Sequence, residues 1–148
     1  MKLALCICPQ WSVQTPSFAI GSLKSHIKNK DVEVEQFDLN IRTSLYTKEK
    51  HIEKFWDWGN DTPWNSEANF KDEILPHFKD LWHEYIDKLA EYDVVAFTTY
   101  ISNIVTTDYV ARYLKQKNPK IQIWYGGPYS WYAESAGLVE NDNYREYV

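Results

Sequence analysis

Apolar positions along this chain repeat with two different periods, and the switches between them outline the fold. Lys2–Cys8 is short, continuous and apolar, and it stops at Pro9, which predicts a buried strand. The segment "PQWSVQTP" (9–16) is bracketed by prolines and predicts a loop. After it, Phe18, Ile20, Leu23 and Ile27 recur at near-helical spacing, with Pro16 ahead of the first turn and lysines gathering at the end. "VEVEQFDLN" (32–40) places Val32, Val34 and Phe37 as a half-exposed strand ending at Asp38 and Asn40. "YDVVAFTTY" (92–100), β-branched and aromatic, predicts a buried strand. Residues 103–119 put Ile104, Tyr109, Val110, Tyr113 and Leu114 on one helical stripe that stops at Asn118-Pro119. "IQIWY" (121–125) is a fourth strand, running into Gly126-Gly127-Pro128, and a short helix is expected over 130–139.

Strand and helix alternate, which predicts a single α/β domain over 1–148. The expected architecture is an open parallel sheet of flavodoxin or Rossmann type with helices on both faces. Its first and third strands should lie side by side. One stretch departs from the minimal pattern. Residues 43–90 are too long for a crossover and predict a helical, Trp-rich insert. Phe70, Ile74, Phe78, Leu81, Trp82, Tyr85, Ile86 and Leu89 form its stripe, with a kink or helix restart expected at Pro76. Trp56, Trp58 and Trp64 precede that stripe, expected to pack the insert onto the domain edge. The final "YREYV" has the character of a fifth strand cut short, so a piece of a longer chain is expected.

Composition narrows the function. The net charge of −5 sets the chain against a nucleic-acid partner, because phosphate backbones demand clustered Lys and Arg. No run of about 18 apolar residues exists to span a membrane, and the N-terminal apolar stretch is too short for a signal peptide, so a cytoplasmic address is expected. Cys6 and Cys8, at i and i+2 of a strand, share a face and are expected to be buried core thiols, badly placed for a disulfide.

In an open α/β sheet, ligands bind beyond the carboxyl ends of the strands. The candidate residues therefore follow each strand: 9–16, 38–40, 98–103 and 126–129. Thr98, Thr99, Tyr100, Ser102 and Asn103 offer neutral hydrogen-bonding groups, some of which serve to cap the next helix. Neither a phosphate-loop lysine nor a GxGxxG is present. His26, His51, His77 and His83 all fall in predicted helices, away from these loops, and no nucleophilic triad can be assembled from them. No self-contained active site is expected.

The ordered set of Pro9…Pro16, "FDLN", "YDVVAFTTYISN" and "IQIWYGGP" resembles the N-terminal cobalamin-binding domain that precedes many radical S-adenosylmethionine enzymes. The resemblance covers 1–42 and 91–139 and leaves the insert outside. In the wider cobalamin fold a Ser-x-Leu segment at the third strand's end is followed by Gly-Gly. Here Thr98-Thr99-Tyr100 stands in that place and Gly126-Gly127 follows at a comparable distance. The resemblance implies a cofactor site at Gln10, Trp11, Thr98, Thr99, Tyr100, Asn103, Gly126, Gly127 and Pro128. The glycines would give room for the nucleotide tail of cobalamin, so Gly126→Val or Gly127→Val would abolish binding without unfolding the chain. The family's Asp-x-His-x-x-Gly, whose histidine binds cobalt from below, is replaced by "PQWSVQTP". Many radical-enzyme members lack it as well, and the lower cobalt face would then be left open, held by water, or shielded by Gln10, Trp11 or Gln14.

S-adenosylmethionine and a 4Fe-4S cluster held by Cys-x3-Cys-x2-Cys would belong to a C-terminal catalytic domain that these residues do not contain. That domain would be the partner of this one, with methyl carriage or redox assistance as the corrinoid's role. Weak or no cobalamin retention by this chain alone is expected. The alternative is a non-catalytic module of the same fold that has lost the cofactor and docks a partner through the Trp-rich insert. A flavodoxin-like binder of flavin mononucleotide ranks below both, because the loop after the first strand has no glycine.

Overall fold

The computed structural model describes residues 1–14, 17–27, 31–56 and 62–129. Four strands, β1 (Lys2–Ile7), β2 (Glu33–Asp38), β3 (Val94–Thr98) and β4 (Gln122–Gly126), form one sheet in the order β2-β1-β3-β4. Every pairing is parallel, with Leu3 facing Val34 on one side and Val94 on the other. β1 is central and all but its first residue are buried, whereas the edge strand β2 has no buried residue. This is the flavodoxin- or Rossmann-like architecture, with the first and third strands adjacent.

The pleat sorts side chains to two faces. Ala4, Cys6, Cys8, Val95, Phe97 and Ile123 pack against Ile86 and Leu89 of α5 (Leu75–Leu89) and Val110, Ala111 and Leu114 of α6 (Ile104–Lys117). On the other face Leu3, Leu5, Ile7 and Val94 meet Ile20 of α1 (Phe18–His26). Both cysteines are free and fully buried, and burial pushes the Cys6 thiol's pKa well up. Within α1 only Ile20 is buried. Phe18 is 85% exposed, because it lies roughly 200° around the helix from Ile20 and the two cannot share a face.

The insert begins earlier than its sequence pattern suggests. Helix α2 (Leu39–Glu49) starts directly after β2, since the Asp38 carboxylate accepts a hydrogen bond from the Ile41 N–H at 2.8 Å and caps it. After a 3-10 turn at Glu53–Phe55 come two short helices, α3 (Thr62–Asn65) and α4 (Glu67–Asn69), then a π-helical turn, Phe70–Ile74. The chain restarts as α5 with Pro76 in its first turn, where the missing N–H costs nothing. The insert owns a second core of Trp64, Phe70, Ile74, Phe78, Leu81 and Trp82, with Trp56 half-buried against it. Trp64 and Trp82 are thus consumed internally. His51 leaves the predicted helix and sits in the turn after α2 at a φ of 54°. The expected helix at 130–139, the fifth-strand segment, Pro16 and Trp58 lie outside the described residues.

Candidate functional site

The loops that follow β1, β3 and β4 converge on one rim of the sheet. Gln10 and Ser102 are cross-linked twice: the Gln10 N–H donates to the Ser102 carbonyl at 3.3 Å, and Ser102 Oγ donates to the Gln10 carbonyl at 2.7 Å. Asn103, fully buried, ties three segments together. Its Nδ2 donates to the Cys8 carbonyl at 3.3 Å and the Thr98 carbonyl at 3.1 Å, while its Oδ1 accepts from the Tyr100 N–H at 2.8 Å. Thr99 clamps β4 to β3 through both its N–H and its hydroxyl, which donate to the Gly126 carbonyl at 2.7 and 2.9 Å. The Tyr129 N–H returns a bond to the Thr99 carbonyl at 3.3 Å. From α2, Asn40 accepts from the Trp11 N–H at 2.8 Å and donates to the Ser12 carbonyl, anchoring the loop after β1.

The neutral hydrogen-bonding groups that the sequence offers to a ligand are therefore largely committed to one another. They build the rim. Two half-buried rings stand on it: Trp11 and Tyr100 stack with centroids 3.9 Å apart and planes 15° from parallel. Gln10, Thr98, Thr99, Tyr100, Asn103, Gly126 and Gly127 are all brought together here, with Pro128 exposed beside them. None of these side chains carries a charge. Asp38, the last residue of β2, has its pKa raised by burial, although N–H groups of Ile41, Ser17 and Asn40 oppose that shift.

The two glycines differ, which corrects the expectation that either could be enlarged without unfolding. Gly127 has a φ of 105°, and a Cβ there would lie 2.7 Å from the Thr99 carbonyl oxygen and 3.0 Å from its nitrogen. Its glycine is required by the turn against β3 itself. At Gly126 the nearest atom to an added Cβ is the Phe97 carbonyl oxygen at 3.9 Å, an ordinary contact, so the fold has room there.

Two features escaped the sequence pattern. Asn40 was a candidate as a residue that follows β2, but its anchoring of the loop after β1, from a helix expected to start later, was not foreseen. His83 Nε2 shares a 2.8 Å hydrogen bond with the Tyr109 hydroxyl across α5 and α6. Their matching helical stripes were the available signal, but pairing them required the helix packing. Among the described residues no three His, Cys, Asp or Glu are grouped to hold a metal ion, and no helix is long and apolar enough to cross a membrane. No protein-family model matches the chain, and neither a curated protein nor a solved structure matches it.

Proposed function

We propose that this chain is a corrinoid-holding accessory domain, working in the cytoplasm beside a radical S-adenosylmethionine catalytic domain that carries the 4Fe-4S cluster. The observation that carries the reading is the convergence of the loops after β1, β3 and β4 on one uncharged rim, with Thr98 in register with Gly126 and the Trp11–Tyr100 stack beside them. Large neutral macrocycles are held by apolar area and a few fixed polar groups, and this rim supplies both. The residues present fit such a group in part. Trp11 and Tyr100 offer flat apolar surface, and Gly126 leaves space for a tail, but no histidine stands in the loop after β1 to bind cobalt. When bound, a corrinoid supplies methyl or electron transfer, while the chain binds and orients it.

Equilibrium dialysis against hydroxocobalamin tests this directly. The expected result is weak but saturable binding, reduced about tenfold or more by Gly126→Val, which overfills the tail's space. Circular dichroism should show Gly126→Val folded. No binding above a control protein, by this chain alone and by the chain joined to its catalytic domain, would overturn the reading, and unchanged binding by the variant would remove Gly126 from the site.

A second reading has its own support. Phe18, Ile101 and Val13, 85%, 64% and 40% exposed, all lie on segments at this rim and would suit a protein-docking module. With Trp64 and Trp82 buried in the insert's own core, docking in this reading would use the rim in preference to the insert.

A further inference from the structure

Helix α6 begins at the same rim, between the ends of β1 and β3, and no side chain among the described residues caps it. Asn103 occupies the N-cap position without making a capping bond, because its amide is spent on Tyr100, Cys8 and Thr98. The first intrahelical bond runs from the Thr107 N–H to the Asn103 carbonyl at 2.9 Å. Ahead of it, the N–H groups of Ile104, Val105 and Thr106 have no partner among the described residues. No acidic side chain in the first turn complements the helix dipole.

A second, independent observation falls in the same turn. Thr106 Oγ1 is buried and has no hydrogen-bond partner, and it is the one such side-chain atom among the described residues. Thr106 is wholly enclosed. Its neighbour Thr107 shows the ordinary solution, donating to the Asn103 carbonyl at 2.8 Å. Cα–Cβ bonds in a helix tilt toward its N-terminus, so the Thr106 side chain, on the third helical residue, leans toward the uncapped end.

We propose that the N-terminus of α6 is an oxyanion site for a phosphate-type group, with three backbone N–H groups and the Thr106 hydroxyl as its donors. A tetrahedral oxyanion presents several acceptors at once, and a helix N-terminus favours its charge. Ile104 and Val105 are half-exposed, so the entrance lies at the surface, and the enclosed Thr106 hydroxyl joins the site only when this first turn shifts to admit the anion. The phosphate is either free or part of a larger molecule's phosphodiester. The site stands independently of whether a corrinoid binds.

The test is a titration of 15N-labelled protein with inorganic phosphate, against sodium chloride at equal ionic strength. The amide resonances of Ile104, Val105 and Thr106 should shift and saturate with phosphate only. Thr106→Val should bind about tenfold more weakly, the loss of one charge-assisted hydrogen bond, yet melt higher in phosphate-free buffer because the orphaned hydroxyl is gone. Ile104→Glu, which supplies a carboxylate to the first turn, should compete the anion away, whereas Ile104→Gln should not. Cobalamin and its phosphate-free analogue cobinamide separate the two sources: a carried phosphodiester shifts the same amides with cobalamin alone. Absence of saturable shifts at these three amides, or a Thr106→Val variant that binds phosphate like the parent, overturns the proposal.

Discussion

Gly127 and its neighbour Gly126 show how little residue type alone reveals. Gly127 is bound to its turn by a positive φ and by the Thr99 backbone, so Gly127→Ala should cost about 1–3 kcal/mol in urea unfolding. Gly126→Ala should stay within about 0.5 kcal/mol of the parent. Equal losses at both positions would contradict the close approach described for Gly127. His83 makes a pH prediction. Its pKa is lowered from the ordinary 6.5, first by burial and then by Lys79 and Lys117, with Asp87 and Asp80 opposing. Lys117 is itself ion-paired with Asp87. A histidine depressed in the folded state binds fewer protons there than in the unfolded chain, so stability falls as pH drops from about 6.5 toward the folded value. Chemical denaturation between about pH 7.5 and about pH 5.5 should show that loss, and His83→Gln should flatten it. A slope unchanged by the substitution would assign the effect to other groups.

Elements were legible where one period dominated. The stripe of α5 survives almost intact, with Phe78, Leu81, Trp82, Ile86 and Leu89 buried, because a long amphipathic repeat leaves one possible inward face. Helix α1 was less legible: with nine residues and a single buried position, its apolar residues outnumber those the sheet can cover. The start of α2 was hidden because its buried face is polar, comprising Asn40, Thr43, Ser44 and Thr47 alongside Leu39. Asn40, Thr43 and Thr47 are satisfied by bonds to the loop after β1, to their own helix and to α5, which no periodicity shows. Thr43 donates to the Leu39 carbonyl at 2.6 Å and accepts from Trp82 Nε1 at 3.0 Å, joining α2 to α5. Thr43→Val should therefore cost about 1–3 kcal/mol, leaving a buried indole N–H unpaired. In a double-mutant cycle with Trp82→Phe, most of that cost should vanish in the doubly substituted protein. Additive losses would mean that the bond contributes nothing of its own.

For the whole molecule, the parallel sheet and the adjacency of its first and third strands followed from alternation, but the character of the rim did not. Thr99, Ser102 and Asn103 were legible as polar residues after a strand. That they bind one another's loops depends on how β1, β3 and β4 lie together, which chain order does not display. The same arrangement has a consequence for how the molecule is made. β1 is the central strand, yet its partner on one side begins at Val94, so Leu3 must wait for some ninety residues of chain before that pairing closes. The insert lies wholly within this interval and carries its own aromatic core. Loop-closure entropy grows only logarithmically with length, so an interval already collapsed costs less to close than an open one. On the ribosome the insert can condense first and draw β3 back toward β1. Until then, the most apolar strand of the protein has only the edge strand β2 to cover it, and that interval is when the chain is most exposed to aggregation.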